Sequence, residues 1–286
     1  MDIIHSPADM QQWAAAQASV SQTIALVPTM GYFHEGHLRL MRMAAKLCDL
    51  VVVSLFVNPT QFGPSEDLDR YPRDFERDME LMRREKVAAV FVPTPLHMYP
   101  PGFQTEVRVR DLATHLCGRS RPVHFTGVAT VVTKLFNIVQ PNVAVFGEKD
   151  FQQLAIIRRM VADLHISVQI VGHPIVREAD GLAMSSRNAN LDPANRRAAL
   201  SLSTALQLAR DRAGAGVTST TELTRLLTEH IHGHPGTEID YVSFVDSETL
   251  EKVACVDERT VLALAVRIDL RVRLIDNGFV LPRPTS

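Results

Sequence analysis

The sequence predicts an α/β chain: a Rossmann-like, doubly wound parallel sheet followed by a smaller C-terminal α+β domain. Three observations carry this. Short β-rich apolar runs alternate with helix-like segments as far as Val176, which is the order of βαβ units. The runs are continuously apolar, as in Val51-Val52-Val53-Ser54-Leu55-Phe56-Val57, and such strands are buried on both faces of a parallel sheet. Beyond Val176 the alternation stops, and two long helical segments precede two strand-like runs.

The elements follow in order. Strands are expected over Thr23–Pro28, Leu50–Val57, Val87–Val92, Asn142–Phe146 and Val168–Val176, with helices over His37–Leu47, Asp67–Glu85, Val128–Val139 and Asp150–Leu164. The charge-rich 67–84 stretch reads as a solvated helix face. The polar stretch from Arg177 to Leu191, with Gly181, two serines and two asparagines, marks a domain boundary. The domains are therefore set as 1–176 and 177–286. Asp192-Pro193 is an N-cap followed by proline at the first helical position; that helix runs to about Arg212, where Gly214 and Gly216 stop it. Ser219–Ile231 reads as a helix, Ile239–Val245 and Val261–Ile268 as strands, and Arg271–Leu274 either extends the last strand or follows a bend.

Composition narrows the function classes. A chain of 286 residues, 46% hydrophobic and 22% charged, can build one large and one smaller globular domain. A formal charge of −2 gives no basic surplus for nucleic acid. Three cysteines, odd in number and far apart, form neither a disulfide framework nor a zinc spacing, which fits a reducing cytoplasm; Cys48 reads as core. No basic, apolar leader opens the chain, and no run approaches the roughly 18 apolar residues of a membrane span.

The chemistry-bearing residues fall at the strand ends. Pro28-Thr-Met-Gly31-Tyr-Phe-His34-Glu-Gly-His37 follows the first strand and opens a helix. That junction offers free backbone N–H groups and the positive end of a helix dipole to an anion. His34 and His37 share a face if helical and can donate to a polyphosphate. A metal site would need a third ligand, and H-E-G-H lacks the zinc-protease spacing; a plain structural turn is the other alternative. Asn58-Pro-Thr-Gln61-Phe-Gly63 follows the second strand, where ligands of such sheets bind; both amides suit a hydroxy-carboxylate, and an ordinary Pro/Gly loop is the alternative. Gly147-Glu-Lys149-Asp-Phe-Gln-Gln153 suits a nucleotide but is no Walker A loop. Gly181-Leu-Ala-Met184-Ser-Ser-Arg187-Asn188 places two hydroxyls and a guanidinium on a mobile link, either a polyphosphate clamp or a solvated linker. Arg119-Ser-Arg121-Pro-Val-His124-Phe-Thr-Gly127 is a further anion contact or a basic structural turn.

Five blocks, Pro28–His37, Phe56–Phe62, His124–Val132, Gly147–Gln153 and Asp180–Asn188, in that chain order and with similarity over most of Ile3 to Asp276, closely resemble the pantothenate synthetase family of the HxGH nucleotidyltransferases. The resemblance implies an AMP-forming acid–amine ligase. Pantoate and ATP would give pantoyl adenylate and pyrophosphate, and β-alanine would then displace AMP. It implies that the segment Met30, Gly31, Tyr32, Phe33, His34, Glu35, Gly36 and His37 contacts ATP, with His37 as the acid-like residue at the departing pyrophosphate. Gly147, Glu148, Lys149 and Asp150 would bind the nucleoside part, and Val176 would touch adenine through its backbone. Met184, Ser185, Ser186 and Arg187 would clamp the triphosphate. The catalytic set would be His34, His37, Lys149 and Arg187. Gln61 would hold pantoate near the β-alanine path, Gln153 would hold pantoate, and Asn58 would join them. Magnesium, a homodimer and a cytoplasmic location are implied as well, with no nucleic-acid or membrane partner and no protein-held metal cage. Three positions depart from the family: Tyr32-Phe33 replaces small or aliphatic residues and would narrow the ATP mouth, Val123 replaces a glycine and Phe151 a tyrosine. None removes a polar group named above. The rivals are a nucleotidyltransferase acting on a phosphate-bearing acceptor and a non-catalytic adenine-nucleotide sensor.

Overall fold

The computed structural model describes residues 1–63, 68 and 71–282. The elements of its first part are β1 (Asp2–Ile4), α1 (Pro7–Ser19), β2 (Ile24–Thr29), α2 (Glu35–Leu47), β3 (Leu50–Leu55), α3 (Phe75–Arg84), β4 (Ala89–Phe91), α4 (Pro95–Met98), α5 (Cys117–Ser120), α6 (His124–Val139), β5 (Val143–Gly147), α7 (Phe151–Asp163) and β6 (Gln169–His173). The strands form one six-stranded sheet in the order β1-β4-β3-β2-β5-β6, every neighbouring pair parallel. The expected doubly wound sheet is therefore present, with β1 and α1 added at its start.

Both faces of the sheet are covered because the central strands are apolar on both faces. Ile24 and Leu26 of β2 join Met10 and Ala14 of α1 and the buried face of α6 in one core. Ala25 and Val27 join Leu38, Met41 and Ala44 of α2 and Met79 and Met82 of α3 in the other. Strand order reverses around β2, whose neighbours are β3 on one side and β5 on the other. The crevice beyond the carboxyl ends of β2 and β5 is where a doubly wound sheet binds its ligand.

The two largest boundary differences from expectation are at helix starts. The helix read over Asp67–Glu85 spans Phe75–Arg84, with Asp74 as its cap; Asp67 lies outside the described residues. The expected helix at Val128 begins a turn earlier, at His124. Cys48 caps the end of α2 and is half-buried against the core.

The remaining elements are α8 (Pro193–Gly214), α9 (Thr220–His232), β7 (Thr237–Asp246), β8 (Thr260–Ile268) and β9 (Val272–Phe279). The cap read at Asp192 is made: its carboxylate accepts from Ala194 N (2.9 Å) and Asn195 N (2.8 Å). β7, β8 and β9 form an antiparallel sheet whose apolar residues share one core with α8 and α9. Arg271–Leu274 follows a bend, with Asp269 and Leu270 in the left-handed region (φ 51° and 56°), and β9 is a third strand. The chain divides into two units. One holds Met1–Glu148 with Gln152–Pro174; the other holds Lys149–Phe151 with Ile175 onward.

Candidate active site

The first unit carries the histidine pair. The Thr29 hydroxyl donates to Ser54 O (2.7 Å), fixing the end of β2 to β3. The chain then turns through Gly31 at φ +90°, where a Cβ would lie 2.8 Å from Leu55 Cδ1 and 3.0 Å from Asp78 Oδ2. Glycine is required there by both backbone and space. Tyr32 follows at φ +55°, a conformation few side-chain-bearing residues adopt. It is held by Asp78 of α3, whose carboxylate accepts from Tyr32 N (2.6 Å) and Phe33 N (2.8 Å). Burial pushes the Asp78 carboxyl above its ordinary value, opposed by those two N–H bonds and by nearby Arg77. The Arg77 guanidinium also lies 5.6 Å from the centre of the Tyr32 ring.

The two imidazoles cap the helix they begin. His34 is the N-cap of α2: its Nδ1 accepts from Gly36 N (3.1 Å), and His37 Nδ1 accepts from His34 N (3.3 Å). The rings stand 4.1 Å apart. A neutral imidazole that accepts at Nδ1 carries its proton at Nε2, so each ring is a donor through Nε2 at the positive end of α2. This corrects the expectation of free backbone donors. The N–H groups of residues 32, 33, 34 and 36 are all engaged within the protein, so these four are not open to an anion. Two side chains expected at ATP are placed otherwise. Phe33 is 1% exposed, in the core against the His37 ring, and does not narrow a mouth. The Glu35 carboxylate pairs with Arg39 (2.8 Å) and Arg42 (2.6 Å). Burial raises its pKa, and those hydrogen bonds more than offset this, holding it below the ordinary value.

After β3, residues Pro59–Gln61 form a single 3-10 turn capped by Asn58. Asn58 is 1% exposed and its amide is fully used. Oδ1 accepts from Thr60 N, the Thr60 hydroxyl and the Tyr99 hydroxyl (2.8 Å), while Nδ2 donates to Gln61 Oε1 (3.2 Å) and Gly127 O (3.1 Å). Asn58 thus supports Gln61 rather than offering its own amide to a ligand. Gln61 Nε2 in turn donates to Met30 Sδ (3.2 Å), joining the first two motif blocks. The 119–127 block supports the same turn. His124 Nδ1 lies 2.9 Å from Gln61 O, and α6 crosses so closely that a Cβ on Gly127 would sit 2.5 Å from Thr60 O and 2.7 Å from Gln61 N. Gln152 is buried, bonding Leu112 O, His115 O and Cys117 N. Gln153, one residue on, is half-buried with no side-chain hydrogen bond among the described residues.

The second unit carries Lys149 and the 176–187 stretch. Lys149 is half-buried and makes no ion pair among the described residues. The stretch expected as a mobile link is a hairpin braced within its own unit. Met184 N donates to Val176 O (2.9 Å), Arg177 bridges Ala183, and Gly181 turns at φ +95°. Arg196 pairs with Glu178 (2.6 Å) and Asp180 (2.7 Å), and Asn188 Nδ2 donates to Glu178 (2.6 Å). The Val176 carbonyl thus accepts one hydrogen bond inside the hairpin. Ser185 caps the following 3-10 turn of Ser186–Asn190, accepting from Arg187 N (3.3 Å).

Comparison with known proteins decides the family. The pantoate-beta-alanine ligase model matches residues 2–279. The chain belongs to the pantoate-beta-alanine ligase family. It is 55% identical to a pantothenate synthetase of Desulforapulum autotrophicum, over 99% of each chain. It superposes on a pantothenate synthetase of Thermus thermophilus with a TM-score of 0.93 and 44% identity, covering 99% of this chain and all of that one. A pantoate-beta-alanine ligase from Francisella tularensis, solved with "Beta-gamma ATP and Beta-alanine", matches with a TM-score of 0.80 and 32% identity over the full length of both.

Like the family, the chain is a ligase that condenses pantoate with β-alanine at the expense of ATP. For a pantoate-beta-alanine ligase, the supporting residue that sequence reading missed is Asp78. A signal was available: Asp78 lies with Met79 and Met82 on the buried side of α3, and an acid in a buried stripe needs a partner.

Proposed function

We propose that the reaction runs in two steps through pantoyl adenylate. Pantoate attacks the α-phosphate of ATP and pyrophosphate leaves; the amine of β-alanine then attacks the acyl carbon and AMP leaves. A free carboxylate is a poor acceptor for an amine, and adenylation supplies the leaving group. The observation that carries this reading is the pair of Nδ1-capped imidazoles at the start of α2. Their Nε2 donors suit the charge that grows on departing pyrophosphate.

In this reading His34 and His37 act on the phosphates, with Met30, Gly31, Tyr32 and Gly36 lining the nucleotide. Lys149 and Arg187 supply charge, and Gly147, Glu148, Asp150, Val176, Met184, Ser185 and Ser186 complete the ATP contacts. Gln61 and Gln153 hold pantoate, Gln61 also lying near the path of β-alanine. Magnesium enters this proposal as the companion ion of ATP. A cytoplasmic homodimer belongs to the same proposal; that Cys48, Cys117 and Cys255 form no disulfide among the described residues supports a reducing compartment. No helix among the described residues is long and apolar enough to cross a membrane.

Isotope transfer tests the route. With pantoate labelled in a carboxylate oxygen, the label is expected in AMP after full turnover, and labelled pyrophosphate should exchange into ATP without β-alanine. Label found in phosphate or pyrophosphate would mean an acyl phosphate, and the adenylate would be abandoned. A nucleotide sensor would bind ATP and form no AMP at all.

The substrate assignment has its own test. Gln61→Ala and Gln153→Ala should each weaken pantoate binding by roughly 1.5–3 kcal/mol, the worth of a hydrogen bond to a charged group, with a smaller change for ATP. Calorimetric titration of both variants checks this; unchanged pantoate affinity in both would put its pocket elsewhere.

A further inference from the structure

Strand β9 reaches two separate stretches of the second unit that are assigned to ATP. Asp276 is 2% exposed. Its carboxylate takes both arms of the Arg177 guanidinium (2.7 and 2.9 Å), and Arg177 also donates to Gly181 O (3.0 Å) at the tip of the hairpin that leads into Met184–Arg187. The next residue turns to the other stretch: Asn277 Nδ2 donates to Lys149 O (2.8 Å), while its own N–H is held by Asp276 Oδ1 (2.8 Å). Two residues further, the Phe279 ring meets Phe151 edge-on, with centroids 6.4 Å apart. Residues 149–151 thus group with β9 although the sequence places them at the junction of β5 and the start of α7.

A buried ion pair is weak support for stability, because an apolar pair of similar size often does as well. What a bidentate pair adds is a fixed orientation. Here the orientation passes to the backbone of residue 149 and to the hairpin before residue 187. We propose that Asp276 and Asn277 are positioning residues for adenylation, Asn277 acting through Lys149 and Asp276 through Arg177. This rests on the reading of Lys149 as a phosphate-directed group.

The test is a mutant cycle read by pyrophosphate–ATP exchange with pantoate present. Asn277→Ala is expected to lower exchange kcat by about tenfold to a hundredfold, the usual effect of losing a supporting contact or misplacing a reacting group. KM for pantoate should stay near the parent value. In a Lys149→Ala background the same substitution should cost less than about twofold, since a group acting only through Lys149 has nothing left to position. Asn277→Asp keeps the size and removes the donor, and should reproduce the loss if Asn277→Ala fails to fold. Multiplying losses in the double variant would overturn the proposal. So would a folded Asn277→Ala or Asn277→Asp variant with parent kcat. Lys149→Ala with parent exchange would instead strike the reading of Lys149 itself, and the single variant reveals that separately.

Discussion

Replacing His37 by alanine is expected to slow pyrophosphate release from pantoate and ATP by roughly 10²–10³-fold, or about 2.7–4 kcal/mol of barrier, the usual cost of removing one donor aimed at developing charge. The imidazole has two jobs, and their sizes differ. Its Nδ1 accepts from His34 N at 3.3 Å, a cap contact whose loss costs about 1 kcal/mol of stability. The N-cap bond of His34 to Gly36 N remains, so α2 should still form and the main loss should be catalytic. His37→Asn separates the two jobs, since an asparagine amide can accept from one side and donate from the other; it should recover part of the rate. Rapid-quench measurement of pyrophosphate in the first turnover checks both variants, with melting curves as the control. A folded His37→Ala protein releasing pyrophosphate at near the parent rate would remove the imidazole from the chemistry.

The central strands and their helices were legible because their signal is local. Continuous apolar runs identify β2 to β6, and two apolar faces require helices on both sides. The histidine pair could be placed at the end of β2 from the turn and the run before it. The first helix was equally readable and was missed: Ser6-Pro7 carries the same cap-and-proline signature as Asp192-Pro193, and the Ser6 hydroxyl does accept from Asp9 N (3.1 Å). What no local pattern carries is the partner of a polar side chain far along the chain. Asn58 reads as a ligand-binding amide, yet its donors end on Gln61 and on Gly127, 69 residues away. The Arg/His/Gly turn at 119–127 could equally have been an anion contact or a structural turn, and only the close crossing of α6 over Thr60 shows what Gly127 is for. Asp276 and Asn277 follow the Arg271–Leu274 stretch, which by sequence either extends the strand before it or follows a bend. Their partners Arg177 and Lys149 lie 99 and 128 residues earlier.

Asp78 is the strongest case of that kind, and Asp78→Ala is expected to weaken both the fold and the proposed nucleotide site. The charged stretch around it reads as a solvated helix face, yet it is 1% exposed and accepts the N–H groups of two consecutive residues. Each buried donor left without a partner costs roughly 1–3 kcal/mol. Against this, Tyr32 would be released from a left-handed backbone whose strain is about 1–3 kcal/mol. The Phe33 amide gets no such relief, because its ring is locked in the core. Two unmet donors at about 2 kcal/mol each, less about 2 kcal/mol of relieved strain, leave a net loss of stability of about 2 kcal/mol. Relaxation of Tyr32 has a second consequence. Residues 32 and 33 lead directly into the His34 cap, so the imidazoles should lose their fixed spacing and ATP affinity should fall with stability. Asp78→Asn keeps one acceptor and turns an amide hydrogen toward the other N–H, so it should lie between parent and alanine. Urea unfolding and ATP titration on the two variants give the answer. If Asp78→Asn matches the parent in both, the carboxylate does not hold this turn, and the left-handed Tyr32 must be maintained by packing alone.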